Sequence, residues 1–188
     1  MAMLEEKSAR AKELIMIDVG GGVLVGHDGS KDAHAALEEA VRIARALKTH
    51  VTVVRAWQVT TMGRPANAEF GYVPPLDEYA AEARKNLERD VEPVREEHPD
   101  VPIETAVVNG DPAGQLVLAS GTATMAVVGR RGSGGVSRLL LGSVSGRLAS
   151  HARCPVLVVN PQAAATAAEV DEEQRLEAAL ASELHLDR

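Results

Sequence analysis

The chain has 188 residues with 45% hydrophobic and 25% charged side chains, enough apolar material for one packed domain and too little length for two. Its 20 Lys and Arg against 27 Asp and Glu give a net charge of -7, which disfavours bulk binding to nucleic acid or to an anionic membrane. Four aromatic residues rule out a base-stacking platform, a single cysteine (Cys154) rules out an internal disulfide, and no apolar run reaches the roughly 18 residues of a membrane span.

The N-terminal stretch 1–21 carries acids and no signal-type apolar core, so the expectation is a soluble, cytoplasmic protein with a short N-terminal extension. From there a short apolar run followed by a helical pattern recurs, the signature of an α/β fold with a mostly parallel sheet. The first strand is expected at Val23–Val25. Ser30 reads as a helix N-cap, and Ala33, Leu37, Ala40, Val41, Ala44 and Leu47 recur at helical spacing behind it. A second strand covers Val51–Trp57. The Gly- and Pro-rich stretch 63–75 reads as a loop long enough to be a flap. A charged surface helix is expected from Leu76 to about Glu97, kinked or shortened by Pro93. A third strand follows at Ile103–Val108, then a helix from Pro112 to Ser120 that begins on a proline, whose missing N–H would have no helical partner there anyway. The fourth strand is expected at Met125–Val128, a glycine-rich loop at 129–142, a helix at Ser143–His151 and a fifth strand at Pro155–Val159. In the remaining tail, 162–188, Leu176, Leu180 and Leu184 make a narrow stripe. It either docks on its own domain, on a second subunit or on another protein partner, or frays.

Charge is distributed unevenly. Between Pro112 and Ala168 there is no Asp or Glu, while Arg130, Arg131, Arg138, Arg147 and Arg153 all fall there, leaving the other 15 basic residues to face all 27 acids. Either the core segments simply lack acids, or the island serves a small polyanion that carboxylates would repel.

The segment 127–145, from the end of the fourth strand to the start of the last helix, carries the chemistry. An open parallel sheet places ligands at that level. Gly129, Gly132 and Gly142 allow main-chain N–H groups to approach an anion, and the helix beginning at Ser143 turns its positive dipole end to the same spot. Ser143 and Ser145 add hydroxyl donors. Arg131, and less directly Arg130, either reach a terminal phosphate or project into solvent. The segment lacks the G-x4-G-K-[ST] of a P-loop and any lysine, and the first strand is not followed by G-x-G-x-x-G. A plain surface loop would need the same glycines only for turns.

The spacing Gly129-x2-Gly132-x9-Gly142-Ser143 resembles the nucleotide-binding signature of the universal stress protein family, ATP-binding subgroup. Asp28 and Ser30 at the end of the first strand, and the closing GSVS and CPVLVV, look like further parts of that family. The resemblance spans 22–161. It implies a single-domain, open five-stranded parallel sheet of the adenine nucleotide alpha hydrolase type, Rossmann-like, with strand order 3-2-1-4-5 and helices on both faces. It further implies adenosine contact at Asp28, adenine contact at Ala56, and ribose and phosphate contact at Gly129, Gly132, Gly142, Ser143 and the adjoining Val144, with Ser145 a weaker candidate.

The implied ligand is ATP, with or without Mg2+, and the implied role is a cytosolic stress-response regulator, homodimeric through its fifth strand. Slow hydrolysis or autophosphorylation, an AMP- or cyclic-AMP-binding member, and a nucleotide-independent interaction module stay open beside it. The sequence departs from the family at His27, where an aliphatic residue is usual; a solvent-facing side chain is favoured there over a polar pocket edge. No catalytic residue and no metal site are expected, since the histidines lack ligand spacing and Cys154 lies outside any CxxC.

Overall fold

The five apolar runs form strands because each is short, rich in valine and bounded by turn residues or helix starts. The computed structural model describes residues 17–58, 75–132 and 141–161. Its strands are β1 (Val23–Gly26), β2 (Val51–Trp57), β3 (Ile103–Asn109), β4 (Met125–Gly129) and β5 (Val156–Val159). Between them run α1 (Lys31–Leu47), α2 (Leu76–Glu97), α3 (Pro112–Ala119) and α4 (Ser143–His151). All four pairings are parallel, and the strand order is β3-β2-β1-β4-β5, as the resemblance implies. The flap expected at 63–75 lies outside the described residues except for Pro75, and so does the leucine stripe of the tail.

Alternation along the strands builds two cores. Val23 and Val25 point to one face and pack with Leu37 and Val41 of α1 and Leu87 and Val91 of α2. Leu24 points to the other face, where it meets Val54, Val128, Leu116 of α3 and Leu148 of α4. Cys154 packs half-buried at the edge of this second core, and burial pushes its thiol pKa up. The packing begins before Gly22. Val19 is buried, its N–H donates to Thr122 Oγ1 at 2.9 Å, and its carbonyl lies 2.8 Å from His50 Nε2.

Local signals set most of the helix ends. Ser30 caps α1, its Oγ accepting from Ala33 N–H at 3.2 Å, and Lys48 ends the helix in the left-handed region at φ 55°. Asp111 caps α3 through Gly114 N–H, with Pro112 in its first turn. α2 runs to Glu97, the expected end, with Pro93 inside it, so the proline does not shorten the helix. The ring removes one hydrogen bond in the last turn but a single one, and Val91 and Val94, both buried, hold that turn against the core.

Leu37 is fully buried at the centre of the first core. Leu37→Ala is expected to lower unfolding free energy by about 2–5 kcal/mol, read from urea titration, with an unchanged slope.

Candidate functional site

Strand register brings the expected residues to one level. Gly26 pairs with Val54 on one side and Val128 on the other, so two residues further along Asp28, Ala56 and Arg130 emerge side by side at the carboxyl edge. This is where the order reverses from β2-β1 to β1-β4-β5, the position at which open α/β sheets bind ligands.

The glycines here are required by close approaches. A Cβ on Gly129 would lie 2.6 Å from both the carbonyl carbon and the oxygen of Asp32, so β4 ends against the backbone of the first turn of α1. Asp32 Oδ2 accepts the N–H of Arg131 at 3.0 Å and ties the start of the loop to that turn. One residue on, a Cβ on Gly132 would stand 2.5 Å from Asp28 Oδ2, so this bare stretch of main chain lies directly against the β1 carboxylate. Asp28 Oδ1 in turn accepts the N–H of Ser30 at 3.0 Å, an arrangement that holds the carboxylate in the β1–α1 turn.

The neck of the loop closes on a single carbonyl. Arg130 O accepts from Gly142 N–H at 2.9 Å and from Ser145 Oγ at 3.0 Å, so residues 130 and 142 are drawn together and α4 starts next to the end of β4. Ser145 is buried and its hydroxyl also lies 3.1 Å from Gly142 O; it is engaged in the neck rather than turned outward. Gly142 occupies the N-cap position of α4 without a side-chain cap, Ser143 is exposed and Val144 half-buried behind it. Arg131 is half-buried. Arg130 carries a buried Nε for which no acceptor exists among the described residues. The loop interior, 133–140, with Arg138, lies outside them.

Beside this site stands a group that the sequence reading misplaced. His27 is 4% exposed, facing α1 and α2 rather than solvent. Its Nδ1 lies 2.7 Å from Arg55 Nη2 and accepts from Gly29 N–H at 3.3 Å; Arg55 Nε also donates to His27 O at 3.2 Å, and Arg55 Nη2 to Asp90 Oδ2 at 2.7 Å. Burial, and then the neighbouring guanidinium, push the imidazole pKa down to about 4. Arginine paired to aspartate explains why this polar residue can replace an aliphatic one: the ring stays neutral and Arg55 has acceptors for its N–H groups. The sequence carried one signal, a charged Arg inside the mostly apolar β2, but not the partner 35 residues away on α2.

Residues 22–160 match the family model described as the universal stress protein family. A universal stress protein of Mycobacterium tuberculosis is 37% identical over 138 residues, which cover 72% of this chain and 44% of that protein. Universal stress protein YxiE of Bacillus subtilis is 29% identical over 143 residues, 73% of this chain and 97% of that one. The chain thus spans less than half the length of the mycobacterial relatives it matches first. Among solved structures, a universal stress protein in complex with cAMP aligns over 75% of this chain and 97% of its own, with a TM-score of 0.55 and 24% identity. A universal stress protein of Archaeoglobus fulgidus in complex with dAMP covers 74% and 98%, with a TM-score of 0.53 and 21% identity. At those identities the two structures share the fold.

Two expected outcomes test the geometry. Gly129→Ala forces a Cβ into backbone and is expected to cost about 1–3 kcal/mol of stability, while Gly132→Ala meets a carboxylate oxygen whose displacement strains the Asp28–Ser30 hydrogen bond and is expected to cost less than Gly129→Ala, both read by thermal unfolding. For His27, the unfolded ring at its ordinary 6.5 binds a proton before the folded ring at about 4, so stability falls as pH drops from 6.5 to 4, by up to about 3 kcal/mol. His27→Gln should flatten that part of the profile, measured by urea unfolding at pH steps through this window.

Proposed function

Because the chain belongs to the universal stress protein family, we propose that it binds an adenine nucleotide, ATP with or without Mg2+, at the carboxyl edge of β1 and β4, and acts through that binding as a stress-response regulator in the cytosol. The observation that carries the reading is the juxtaposition of the Gly132 backbone with the Asp28 carboxylate, next to a loop neck closed on Arg130 O. A carboxylate at that level suits ribose hydroxyl groups. Main-chain N–H groups at the start of α4 suit phosphate, because the first turn of a helix has donors without helical partners and the positive end of its dipole.

The residues present fit the group. Arg130 Nε is a buried donor with no acceptor among the described residues, and a phosphate oxygen would supply one. In this reading Ala56 and Asp28 hold the nucleoside, Gly129, Gly132, Gly142, Ser143 and Val144 line the ribose and phosphates, and Arg131 adds charge. Ser145 contributes by holding the neck. Mg2+, if it accompanies the nucleotide, would be carried chiefly by the phosphate oxygens. Binding without rapid turnover is favoured, since hydrolysis needs a base to position water, and the nearby His27 ring is sequestered on the other side of β1. Among the described residues β5 pairs with β4 alone, and pairing of two β5 edges across a two-fold axis would cover the exposed ladder, so a homodimer belongs to the same proposal. Residues 1–21 and 162–188 are read as extensions on a domain spanning 22–161.

Nucleotide titration decides the question. Thermal unfolding with ATP, ADP, AMP, cyclic AMP and NAD is expected to show saturable stabilisation by an adenine nucleotide, about 2.7 kcal/mol at a hundredfold excess over Kd. Trp57, the one tryptophan, lies next to Ala56 and stacks on Tyr79 at 6.3 Å between ring centroids, so its fluorescence gives a second readout. A Cβ on Gly142 would already stand 3.3 Å from Arg130 O, and Gly142→Val is expected to abolish the response. A chain stabilised by none of these ligands, or a Gly142→Val chain that responds like wild type, overturns the reading.

A further inference from the structure

Asp28 stands in the β1–α1 turn, but the bonds that fix its backbone come from β2 and α2. The φ and ψ of any residue are set by the two planar peptide groups that flank it. The group before Asp28 carries His27 O, which accepts from Arg55 Nε at 3.2 Å. The group after it carries Gly29 N–H, which donates to His27 Nδ1 at 3.3 Å. Both anchors trace to one side chain. Arg55 Nη2 lies 2.7 Å from His27 Nδ1, and because arginine only donates, Nδ1 is kept as an acceptor, open to Gly29 as well.

The arginine is itself held from α2. Asp90 Oδ2 accepts from Arg55 Nη2 at 2.7 Å, and the two side chains are only 12% and 21% exposed, so the pair is largely shielded from competing water. It packs directly beneath the turn: a Cβ on Gly29, which is left-handed at φ 84°, would stand 3.4 Å from Asp90 Oδ2 and 3.7 Å from Arg55 Nη2. The His27 ring keeps its orientation although its buried Nε2 has no partner among the described residues. The contacts on the Nδ1 side therefore decide where it points. Ser30 N–H holds the Asp28 side chain from the other direction, through Oδ1 at 3.0 Å.

We propose that Arg55, held by Asp90, is a positioning residue for Asp28 and so determines the preference of the nucleotide site for a sugar with free hydroxyl groups; the inference rests on the adenine-nucleotide reading above. A carboxylate distinguishes a hydroxyl donor from a hydrogen only at hydrogen-bond distance, so a small displacement of the turn removes the discrimination. The phosphate contacts of the loop after β4 and of α4 are built on other elements and persist. Arginine suits the task because its rigid fork meets a carbonyl, a ring nitrogen and a carboxylate together.

Calorimetric titration of the whole chain with ATP and with 2′,3′-dideoxy-ATP, well below the unfolding midpoint of each variant, tests this. The wild-type chain is expected to prefer ATP by about tenfold or more. Arg55→Met is expected to weaken ATP binding about tenfold and dideoxy-ATP binding less than about twofold, so that the preference collapses as it does in Asp28→Ala. Adding Arg55→Met to Asp28→Ala should weaken ATP by less than about twofold more, the non-additivity of two residues that act through one contact. Asp90→Asn, which keeps the shape of the side chain, carries the test if Arg55→Met does not fold, with a loss of about threefold confined to ATP. Equal losses on both ligands, as from general loosening or from disturbance of the neighbouring Ala56, overturn the positioning role. An unchanged preference in the variants, or full additivity with Asp28→Ala, overturns it too. A wild-type chain that binds the two ligands alike removes the sugar contact, and this proposal with it, while nucleotide binding stands; a wild-type chain that binds neither ligand sinks the proposed function as well.

Discussion

The candidate site depends on how closely β4 can approach α1. With hydrogen in place of a side chain at Gly129, the end of β4 lies against the Asp32 backbone, and Arg131 N–H then reaches the Asp32 carboxylate. Any larger residue would push the strand end and the helix apart by the width of a methyl group, and the loop would no longer leave from the level of Asp28. The neck at Arg130 O, the start of α4 and the position of Gly132 beside Asp28 all follow from that contact. Its energy is small; its effect is geometric, because it decides where main-chain donors stand relative to a carboxylate.

The turn after β1 separates two electrostatic environments. On one side, Asp28 presents a carboxylate next to bare backbone, in a stretch of chain from Pro112 to Ala168 that has no acids of its own. On the other side, His27, Arg55 and Asp90 form a mostly buried chain in which the arginine satisfies a carbonyl, a ring nitrogen and a carboxylate at once. Desolvation alone would make such a cluster expensive, and paired charges with several hydrogen bonds are the usual way it is tolerated. The network also braces the turn from below, since Gly29 N–H donates to the same ring nitrogen. Two adjacent residues just after β1 thus serve opposite faces: His27 the interior of the α1–α2 layer, Asp28 the carboxyl edge beside Gly132.

Much of the architecture was legible because it rests on local rules. Valine-rich runs of four to seven residues, helical spacing from Ala33 to Ala44, Ser30 as a cap and Pro112 in a first turn each carry their reason within a few residues. The glycine spacing from 129 to 142 was legible in the same way, since only a residue without a side chain serves a close main-chain approach. Where reading failed, a distant partner had overridden the local signal. Pro93 was read as kinking or shortening α2; it does not shorten it, because buried Val91 and Val94 carry the helix on to the expected end at Glu97. His27 is polar and was expected at the surface, but Arg55 and Asp90 give it a place inside.

By itself, then, the sequence determined the order of strands and helices, the parallel α/β class and the segment that holds the bare amides, because propensity, periodicity and glycine freedom act over a handful of neighbouring residues. Only the tertiary structure decided that Asp28, Ala56 and Arg130 share one level, that Ser145 closes the loop neck and that His27 is neutral and buried. Each of these depends on strand register or on a charge brought from another element, and neither is encoded within any single stretch of chain.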